Sequence, residues 1–79
     1  MQAPIGCAVI GYGPMHNFGW AHSAWIEATS ELRLVAVCDC DPARTAAAKE
    51  AFPHIRTYND VSQVWEDREI QLVSIVTPH

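Results

Sequence analysis

The sequence lacks the features of membrane proteins and of nucleic-acid-binding proteins. No uninterrupted apolar run approaches the roughly 20 residues that a membrane-spanning helix needs, and the N-terminus has no basic segment followed by an apolar one. The 5 Lys and Arg residues are scattered and outnumbered by 9 Asp and Glu, which gives a formal net charge of −4. Because such a charge does not attract phosphate backbones, the composition predicts a soluble, cytoplasmic chain that binds neither membranes nor nucleic acid.

The sequence also lacks the cysteine pattern of a disulfide framework or a zinc finger. It has 3 cysteines, an odd number, and no pair of them shows zinc-finger spacing. Cys38 and Cys40 lie two apart in a strand-like run, where alternate side chains share a face. We expect Cys7, Cys38 and Cys40 to be buried or half-buried free thiols, and we predict no metal site. The alternative is a metal site formed by Cys38, Cys40 and some of the histidines.

Short apolar runs mark four strands. The length of 79 residues allows one small domain at most. The runs IGCAVIG, LRLVAVC and IQLVSIV are rich in β-branched and other apolar residues, and the brief IRTY run is a fourth strand. The run from Ile70 to Val76 is apolar on both faces, which is typical of a strand that is covered on both sides.

Helical patterns separate these strands. Residues 18–29 place Phe18, Ala21, Trp25 and Ala28 on one apolar stripe. Asp41 and Pro42 form a helix start, and the alanines that follow carry this second helix to its end before Pro53. Asp60 and Gln63 form a capping box that begins a third helix with Val61, Val64 and Trp65. We expect all three tryptophans to be packing residues, with Trp20 as the one that faces a partner if any does.

This alternation predicts an α/β fold. The order β-α-β-α-β-α-β implies a Rossmann-like parallel sheet with right-handed crossovers, for which we predict the strand order 3-2-1-4. The ligands of such sheets bind at the carboxyl ends of the strands. Because the last strand runs almost to the C-terminus, we expect residues 1–79 to be the N-terminal part of a dinucleotide-binding domain that is truncated after its fourth strand.

The stretch GYGPMHNFG follows the first strand as a cofactor loop would. Gly11 and Gly13 allow main-chain N–H groups to approach a pyrophosphate at the start of a helix. Asp39 ends the second strand, where a carboxylate accepts hydrogen bonds from ribose hydroxyls and disfavours a 2′-phosphate. The combination favours NAD over NADP. The third glycine of the loop, Gly19, comes three residues later than the G-x-G-x-x-G pattern requires.

Two geometries accommodate the extra residues of this loop. In the first, a helix begins at Pro14 and His16 takes the position of the third glycine. In the second, a longer loop ends at Asn17, which caps a helix that starts at Phe18. We favour the second, because Pro14 has no N–H for a phosphate and a histidine side chain would hold the two backbone segments apart.

The motifs together resemble the Gfo/Idh/MocA family of oxidoreductases, named after glucose-fructose oxidoreductase and inositol dehydrogenase. LRLVAVCDCDPARTAAAKEAF is similar to the family's second strand and helix, and Gly19-Trp20-Ala21-His22 is similar to its G-x-x-H. TYNDVSQVW resembles the family's Y-x-D segment, and EIQLVSIVTPH resembles its fourth strand with the T-P ending. The resemblance covers essentially the whole chain.

The resemblance implies a set of cofactor-binding residues. Gly11 and Gly13 lie under the pyrophosphate, Asp39 binds the adenosine ribose, and Arg44 lies beside the adenine or the ribose. The residues that approach the nicotinamide half are Thr77, Pro78 and His79. We include Pro14, Met15 and His16 in the cofactor site, although an exposed loop position is favoured for His16. For His22 we expect a structural hydrogen bond.

The resemblance also implies what the chain does not contain. Family members transfer a hydride between a nicotinamide cofactor and a carbon bearing a hydroxyl, usually on a sugar, an inositol or a related polyol. Their catalytic lysine and their C-terminal substrate domain would lie beyond His79, and Lys49 is the only lysine here. We therefore predict a chain that has no catalytic residue and is inactive alone.

Three further expectations complete the interpretation of the sequence. The last strand, or the helix faces left uncovered, would lead the isolated chain to self-associate. A non-catalytic nucleotide-binding or interaction module is one alternative to the oxidoreductase fragment. A fragment of an S-adenosylmethionine-dependent methyltransferase is another, against which Asp41-Pro42-Ala43-Arg44 and the T-P ending argue.

Overall fold

The protein is a four-stranded parallel sheet with helices on both faces. The computed structural model describes residues 4–12 and 18–76. The elements are β1 (Ile5–Ile10), α1 (Phe18–Ala28), β2 (Leu32–Cys38), α2 (Pro42–Ala51), β3 (Arg56–Tyr58), α3 (Val61–Glu66) and β4 (Leu72–Ile75). The strand order is β3-β2-β1-β4, with every neighbouring pair parallel. The predicted Rossmann-like half-domain and its strand order are confirmed.

Two apolar cores lie on opposite faces of the sheet. In β1, Cys7 and Val9 belong to one core while Ala8 and Ile10 belong to the other, as the period of two in a strand requires. The first core includes residues of α1 and α2, namely Ile26 and Ala48. The second core includes Val64 of α3. Helices α1 and α2 therefore cover one face, and α3 covers the other.

Strand β2 contains a bulge at Val35. Cys7 pairs with Leu34 and Ala8 pairs with Ala36, so Val35 has no partner on β1. Leu34 lies in the core under α1 and α2, whereas Val35 and Ala36, although consecutive, both lie in the core under α3. The inward and outward alternation of β2 is interrupted at this one residue.

The buried face of α1 differs from the predicted stripe. Gly19, Ser23 and Ile26 are buried, while Trp25 is 65% exposed and Ala28 is exposed as well. The prediction of an apolar stripe through Trp25 and Ala28 was wrong, because small residues let α1 approach the sheet closely. Ser23 tolerates its burial since its hydroxyl donates a 2.8 Å hydrogen bond to the Gly19 carbonyl of the preceding turn.

The tryptophans do not pack into either core. Trp20, Trp25 and Trp65 are 48%, 65% and 61% exposed. The prediction that they are packing residues was wrong for this chain, because each lies on a side of its helix that does not face the sheet. The ring of Trp25 contacts that of His22, with the two centroids 5.3 Å apart.

Helices α2 and α3 begin where the sequence predicts. The Asp41 side chain accepts a 2.9 Å hydrogen bond from the Ala43 N–H. Asp60 accepts one from the Ser62 N–H, and the Gln63 side chain accepts one from the Asp60 N–H, which completes the capping box. Both predicted N-caps are confirmed.

An ion-pair network joins β3 to the segment between α3 and β4. Arg56 donates to Asp67 at 2.6 Å and to Glu69, while Arg33 of β2 donates to Glu69 at 2.9 Å. The Tyr58 hydroxyl donates to Asp67 at 2.7 Å. Hydrogen bonds from Arg56 and then Arg33 lower the pKa of Glu69. Burial acts to raise the pKa of Asp67, but the hydrogen bonds from Tyr58 and Arg56 outweigh it and the net pKa is lowered.

Strand β4 is an edge of the sheet. It pairs with β1, and no further strand pairs with its outer side among residues 4–12 and 18–76. Leu72 and Ile75 are 49% and 66% exposed. The apolar character of β4 predicts that other elements pack against both of its faces. The described part of the chain leaves Leu72 and Ile75 exposed instead.

The described part of the chain contains no membrane-spanning helix and no metal cluster. None of its helices is long and apolar enough to cross a bilayer. Within the same residues, no three His, Cys, Asp or Glu side chains are grouped as metal ligands would be. Cys7 and Cys38 are buried and Cys40 is exposed, and all three are free thiols.

Candidate functional site

A cleft of about 570 Å³ lies at the carboxyl ends of β1, β2 and β3. Parallel α/β sheets bind their ligands at this edge. The lining residues come from the ends of all three strands and from the starts of α2 and α3: Ile10, Gly11, Cys38, Asp39, Cys40, Arg44, Asn59, Asp60 and Val61. The cleft brings together three of the residues predicted for the cofactor site, namely Gly11, Asp39 and Arg44.

Gly11 turns the chain away from the end of β1. Its φ is 92°, in the left-handed region that side chains with a Cβ rarely adopt. Its N–H donates a 2.8 Å hydrogen bond to the Cys38 carbonyl, so it still extends the pairing with β2. The glycine is therefore required by the backbone conformation at the point where the loop begins.

The Asp39 carboxylate connects the loop after β1 to the start of α2. Its Oδ2 accepts a 2.9 Å hydrogen bond from the Tyr12 N–H, and its Oδ1 accepts one of 2.9 Å from the Asp41 N–H. Asp39 is only 6% exposed. These two main-chain bonds, one on each oxygen, fix the orientation of the carboxylate.

The main chain of Asp39 is held by the end of β3. Its N–H donates to the Tyr58 carbonyl at 3.0 Å, and its carbonyl accepts a 2.8 Å hydrogen bond from Asn59 Nδ2. Sequence reasoning missed Asn59, although a signal was present. Asn59 directly follows a predicted strand, and the rule that selected Asp39 at the end of β2 applies equally at the end of β3.

Arg44 supplies the positive charge of the cleft. Its Nη1 lies 3.9 Å from Asp39 Oδ1 and its Nε lies 3.6 Å from Asp41 Oδ2, with the side chain 37% exposed. Asp39 and Asp60 are the carboxylates among the lining residues, so acidic groups outnumber the arginine. This balance suits one sugar diol and disfavours an additional phosphate ester.

The two cysteines of the cleft differ in environment. Burial, with smaller contributions from the charges of Asp39, Asp60 and Cys40, raises the pKa of the Cys38 thiol. Cys38 therefore stays neutral and contributes an apolar floor. Cys40 is exposed at the wall of the cleft, so the prediction of buried or half-buried thiols holds for Cys7 and Cys38 but was wrong for Cys40. Cys40 follows the last residue of β2 by two positions, beyond the cover of the helices.

Gly19 brings α1 into contact with the loop after β1. A Cβ at Gly19 would lie 2.5 Å from Tyr12 Cα and 2.7 Å from the Gly11 carbonyl oxygen. Close packing of helix against strand is the task of the third glycine in a dinucleotide loop. Gly19 provides this close packing, although it comes three residues later than the third glycine of the G-x-G-x-x-G pattern.

The other predicted cofactor residues lie outside the described residues. These are Gly13, Pro14, Met15 and His16 in the loop, and Thr77, Pro78 and His79 after β4. Asn17 also lies outside them. Helix α1 begins at Phe18, as the favoured geometry of the loop predicts.

His22 has the structural role expected of it. Its Nδ1 lies 3.0 Å from the Ser74 hydroxyl, so the side chain joins α1 to β4. Neither residue lines the cleft. The predicted structural hydrogen bond is confirmed.

The fold and the cleft define a class of nucleotide-binding α/β proteins. Gly11, with a positive φ, follows β1, and the oriented carboxylate of Asp39 follows β2. Gly19 packs α1 so closely against the loop after β1 that there is no room for a Cβ. These features are typical of a dinucleotide-binding unit, in which a glycine turn follows the first strand and a carboxylate follows the second.

The family follows from comparison with known proteins. Residues 5–79 match the family model GFO_IDH_MocA, described as "Oxidoreductase family, NAD-binding Rossmann fold". The chain belongs to this family, and the resemblance that its motifs suggested is confirmed. The match excludes the methyltransferase interpretation. A comparison with curated proteins found no match.

Solved structures of oxidoreductases share the fold. Myo-inositol dehydrogenase from Lactobacillus casei, in complex with NAD(H) and myo-inositol, is 29% identical with a TM-score of 0.80 over 94% of this chain and 22% of its own. GenD2 from gentamicin A biosynthesis, in complex with NAD, is 26% identical with a TM-score of 0.84, and the match covers 99% of this chain and 21% of GenD2. An Agrobacterium radiobacter oxidoreductase, in complex with NAD+, L-tartaric acid and magnesium, is 25% identical with a TM-score of 0.84, and the match covers 96% of this chain and 21% of the oxidoreductase. The chain thus spans about a fifth of the length of these proteins.

Proposed function

We propose that the chain is the NAD-binding portion of an oxidoreductase and that the Asp39 carboxylate accepts hydrogen bonds from the adenosine ribose. The observation that carries the proposal is the pair of 2.9 Å bonds from the Tyr12 and Asp41 N–H groups to Asp39. They hold both carboxylate oxygens in fixed positions beside the cleft. Gly11 then places the start of the loop where a pyrophosphate approaches the main chain.

The charges of the cleft favour NAD over NADP. A 2′-phosphate would lie against the Asp39 carboxylate, and Arg44 already lies close to Asp39 and Asp41. Like charges at short range in a partly buried site cost binding energy. We therefore expect the chain to discriminate against the phosphorylated cofactor.

The remaining residues of the predicted cofactor site stand as part of the same proposal. Gly13 and the residues Pro14, Met15 and His16 would cover the phosphates. Thr77, Pro78 and His79 would approach the nicotinamide half, because they follow β4 at the same edge of the sheet.

The substrate class is a sugar, an inositol or a related polyol that is oxidised at a carbon bearing a hydroxyl. Family membership supports this, and so does the similarity to a dehydrogenase solved with myo-inositol. NAD supplies the hydride acceptor when bound, and the residues of this chain bind and orient it. No residue of the chain is assigned to proton transfer or to substrate binding, and we expect no turnover of a polyol by the 79 residues alone.

Calorimetric titration of the chain with NAD and NADP tests the proposed role of Asp39. In Asp39→Asn, one of the two acceptor oxygens becomes a donor and the charge is lost. Because hydrogen bonds to charged groups contribute about 1.5–3 kcal/mol, the affinity for NAD should fall at least roughly tenfold. The affinity for NADP should fall less, since the repulsion is removed.

Two controls make the result interpretable. Glu50→Gln removes one negative charge on an exposed part of α2 away from the cleft and should leave the NAD affinity unchanged. Circular dichroism and thermal unfolding establish that Asp39→Asn is folded. An Asp39→Asn chain that is folded and binds NAD like the parent would contradict the proposal.

A further inference from the structure

Asn59 has an amide whose orientation is set by its hydrogen-bond partners. Its Nδ2 lies 2.8 Å from the Asp39 carbonyl and 3.2 Å from Thr45 Oγ1. The carbonyl accepts hydrogen bonds and cannot donate. Thr45 donates its own hydroxyl hydrogen to the Pro42 carbonyl at 3.0 Å, so it also accepts from Asn59. Both partners therefore require the NH2 group of Asn59, and a flipped amide would lose both bonds.

This arrangement uses both amide hydrogens of Asn59 and leaves its oxygen as an acceptor. Among residues 4–12 and 18–76, no group donates to Asn59 Oδ1. Asn59 is exposed and lines the cleft beside Asp39. Asn59 Oδ1 is thus a second acceptor in the cleft, next to the Asp39 carboxylate. The hydrogen bonds of Nδ2 in the same amide hold it in position.

The neighbourhood of this acceptor indicates which part of a dinucleotide it meets. Asp39 receives the ribose in the proposed function, and the base is attached to that ribose. A base that extends from Asp39 along the wall formed by Asn59, Asp60 and Val61 places its polar edge near Asn59. Adenine carries a 6-amino group on that edge, which is a donor and complements a carbonyl oxygen.

We propose that Asn59 Oδ1 accepts a hydrogen bond from the 6-amino group of the adenine and selects adenine over bases with an acceptor at that position. Asp60 also lines the cleft, but its Oδ1 is already engaged, because it accepts from the Ser62 N–H and from the Ser62 hydroxyl in its capping role. The inference rests on the proposed function, since it places the adenosine by means of Asp39.

The test compares two cofactors that differ at this group. Nicotinamide hypoxanthine dinucleotide has a ring carbonyl in place of the 6-amino group and an N1–H in place of the adenine N1 acceptor, and the rest of the molecule is the same as NAD. The chain should bind NAD about fivefold more tightly than this analogue, the factor expected for one neutral hydrogen bond. Asn59→Ala should reduce the preference to about onefold.

The ratio of the two affinities separates recognition of the base from stability. A purely structural role of Asn59 would weaken both dinucleotides equally in Asn59→Ala and preserve the preference. Gln71→Ala is the matched control, because it removes an amide whose oxygen accepts a 3.2 Å bond from the Gly6 N–H, away from the cleft. It should keep the preference of the parent.

Each outcome is decisive. Equal affinity of the parent for both dinucleotides, or a preference that survives in Asn59→Ala, overturns the role of Asn59 and leaves NAD binding through Asp39 intact. Absence of any NAD binding by the folded parent overturns the proposed function itself. A preference that disappears only in Asn59→Ala supports the inference.

Discussion

Gly19 of α1 and Tyr12 of the loop after β1 are in backbone contact, since a Cβ on Gly19 would lie 2.5 Å from Tyr12 Cα. This contact joins the first helix to the end of the central strand. It sets the separation of α1 from the sheet at the edge where the cleft opens.

The first prediction concerns Gly19→Ala. Helix propensity alone would make this change stabilising by up to about 1 kcal/mol. Because the added methyl group collides with main-chain atoms, which cannot rotate away, we expect a loss of about 1–3 kcal/mol in the free energy of unfolding instead. Urea unfolding followed by circular dichroism measures the difference.

Ala28→Gly is a suitable comparison for Gly19→Ala. It lies at the exposed end of the same helix and should cost no more than about 1 kcal/mol through propensity. A Gly19→Ala chain more stable than the parent would show that α1 can move away from Tyr12 without penalty.

The second prediction concerns thiol labelling. Cys40 is exposed, whereas Cys7 and Cys38 are buried and burial raises the pKa of both buried thiols. Since the thiolate is the reactive form, a thiol reagent should label Cys40 in the folded chain and all the thiols after denaturation. Mass spectrometry of the labelled peptides identifies the site.

NAD should slow this labelling in proportion to the occupied fraction of the cleft, because Cys40 lies on its wall. Cys40→Ser provides the background rate of the buried thiols. Labelling of Cys40 at the same rate with saturating NAD would place the cofactor elsewhere.

The third prediction concerns acid stability. The pKa of Glu69 is lowered from its ordinary value of 4.5, chiefly by the hydrogen bond from Arg56. A carboxyl group with a lower pKa in the folded state stabilises the fold above its unfolded pKa, and this contribution is lost as the pH falls through the folded pKa. The free energy of unfolding should therefore decline below pH 4.5.

Arg56→Met should make that decline shallower, because it removes the partner shared by Asp67 and Glu69. Urea unfolding at neutral pH and at several values below pH 4.5 measures the slope. Arg68→Met removes an arginine that has no ion pair in the described part of the chain and should leave the slope unchanged. Equal slopes in both variants would show that the network does not stabilise the fold.

The fourth prediction concerns the exposed edge strand β4. Its outer side pairs with no strand of the described residues, and Ile75 is 66% exposed. Unpaired apolar edges promote association, so we expect the isolated chain to self-associate as its concentration rises. Ile75→Lys should reduce this association, and analytical ultracentrifugation measures it. Ala46→Lys adds the same charge on exposed α2 and should not; a monomeric parent at high concentration would count against the prediction.

Local signals in the sequence predicted most of the framework. Asp41 and Asp60 cap their helices through bonds to residues two positions away, so the information is contained within one turn. The alternation of strands and helices predicts the parallel sheet, and the order β3-β2-β1-β4 is the one typical of dinucleotide-binding sheets. Gly11 and Asp39 were found because each directly follows a buried strand.

The errors arose where packing between elements decides. Trp25 and Ala28 have the right spacing for a buried stripe, yet the contact of Gly19 with Tyr12 turns another side of α1 towards the sheet. The role of Asn59 depends on Thr45 and on the Asp39 carbonyl, which are distant in sequence. Composition and period do not encode such contacts.

The bulge at Val35 determines where β2 can lose a residue. Because Val35 is the residue of β2 without a partner on β1, the residues on either side of it already alternate between the two cores: Leu34, Ala36, Val37 and Cys38. Deletion of Val35 would leave a regular ladder in which Ile5 still pairs with Leu32 and Ile10 still pairs with Cys38. Deletion of Val37 would also close the ladder, but it would put Ala36 in the place of Val37 in the core under α1 and α2 and so remove apolar volume there. We expect β2 to tolerate the loss of one residue at this position and to keep Gly11 and Asp39 side by side.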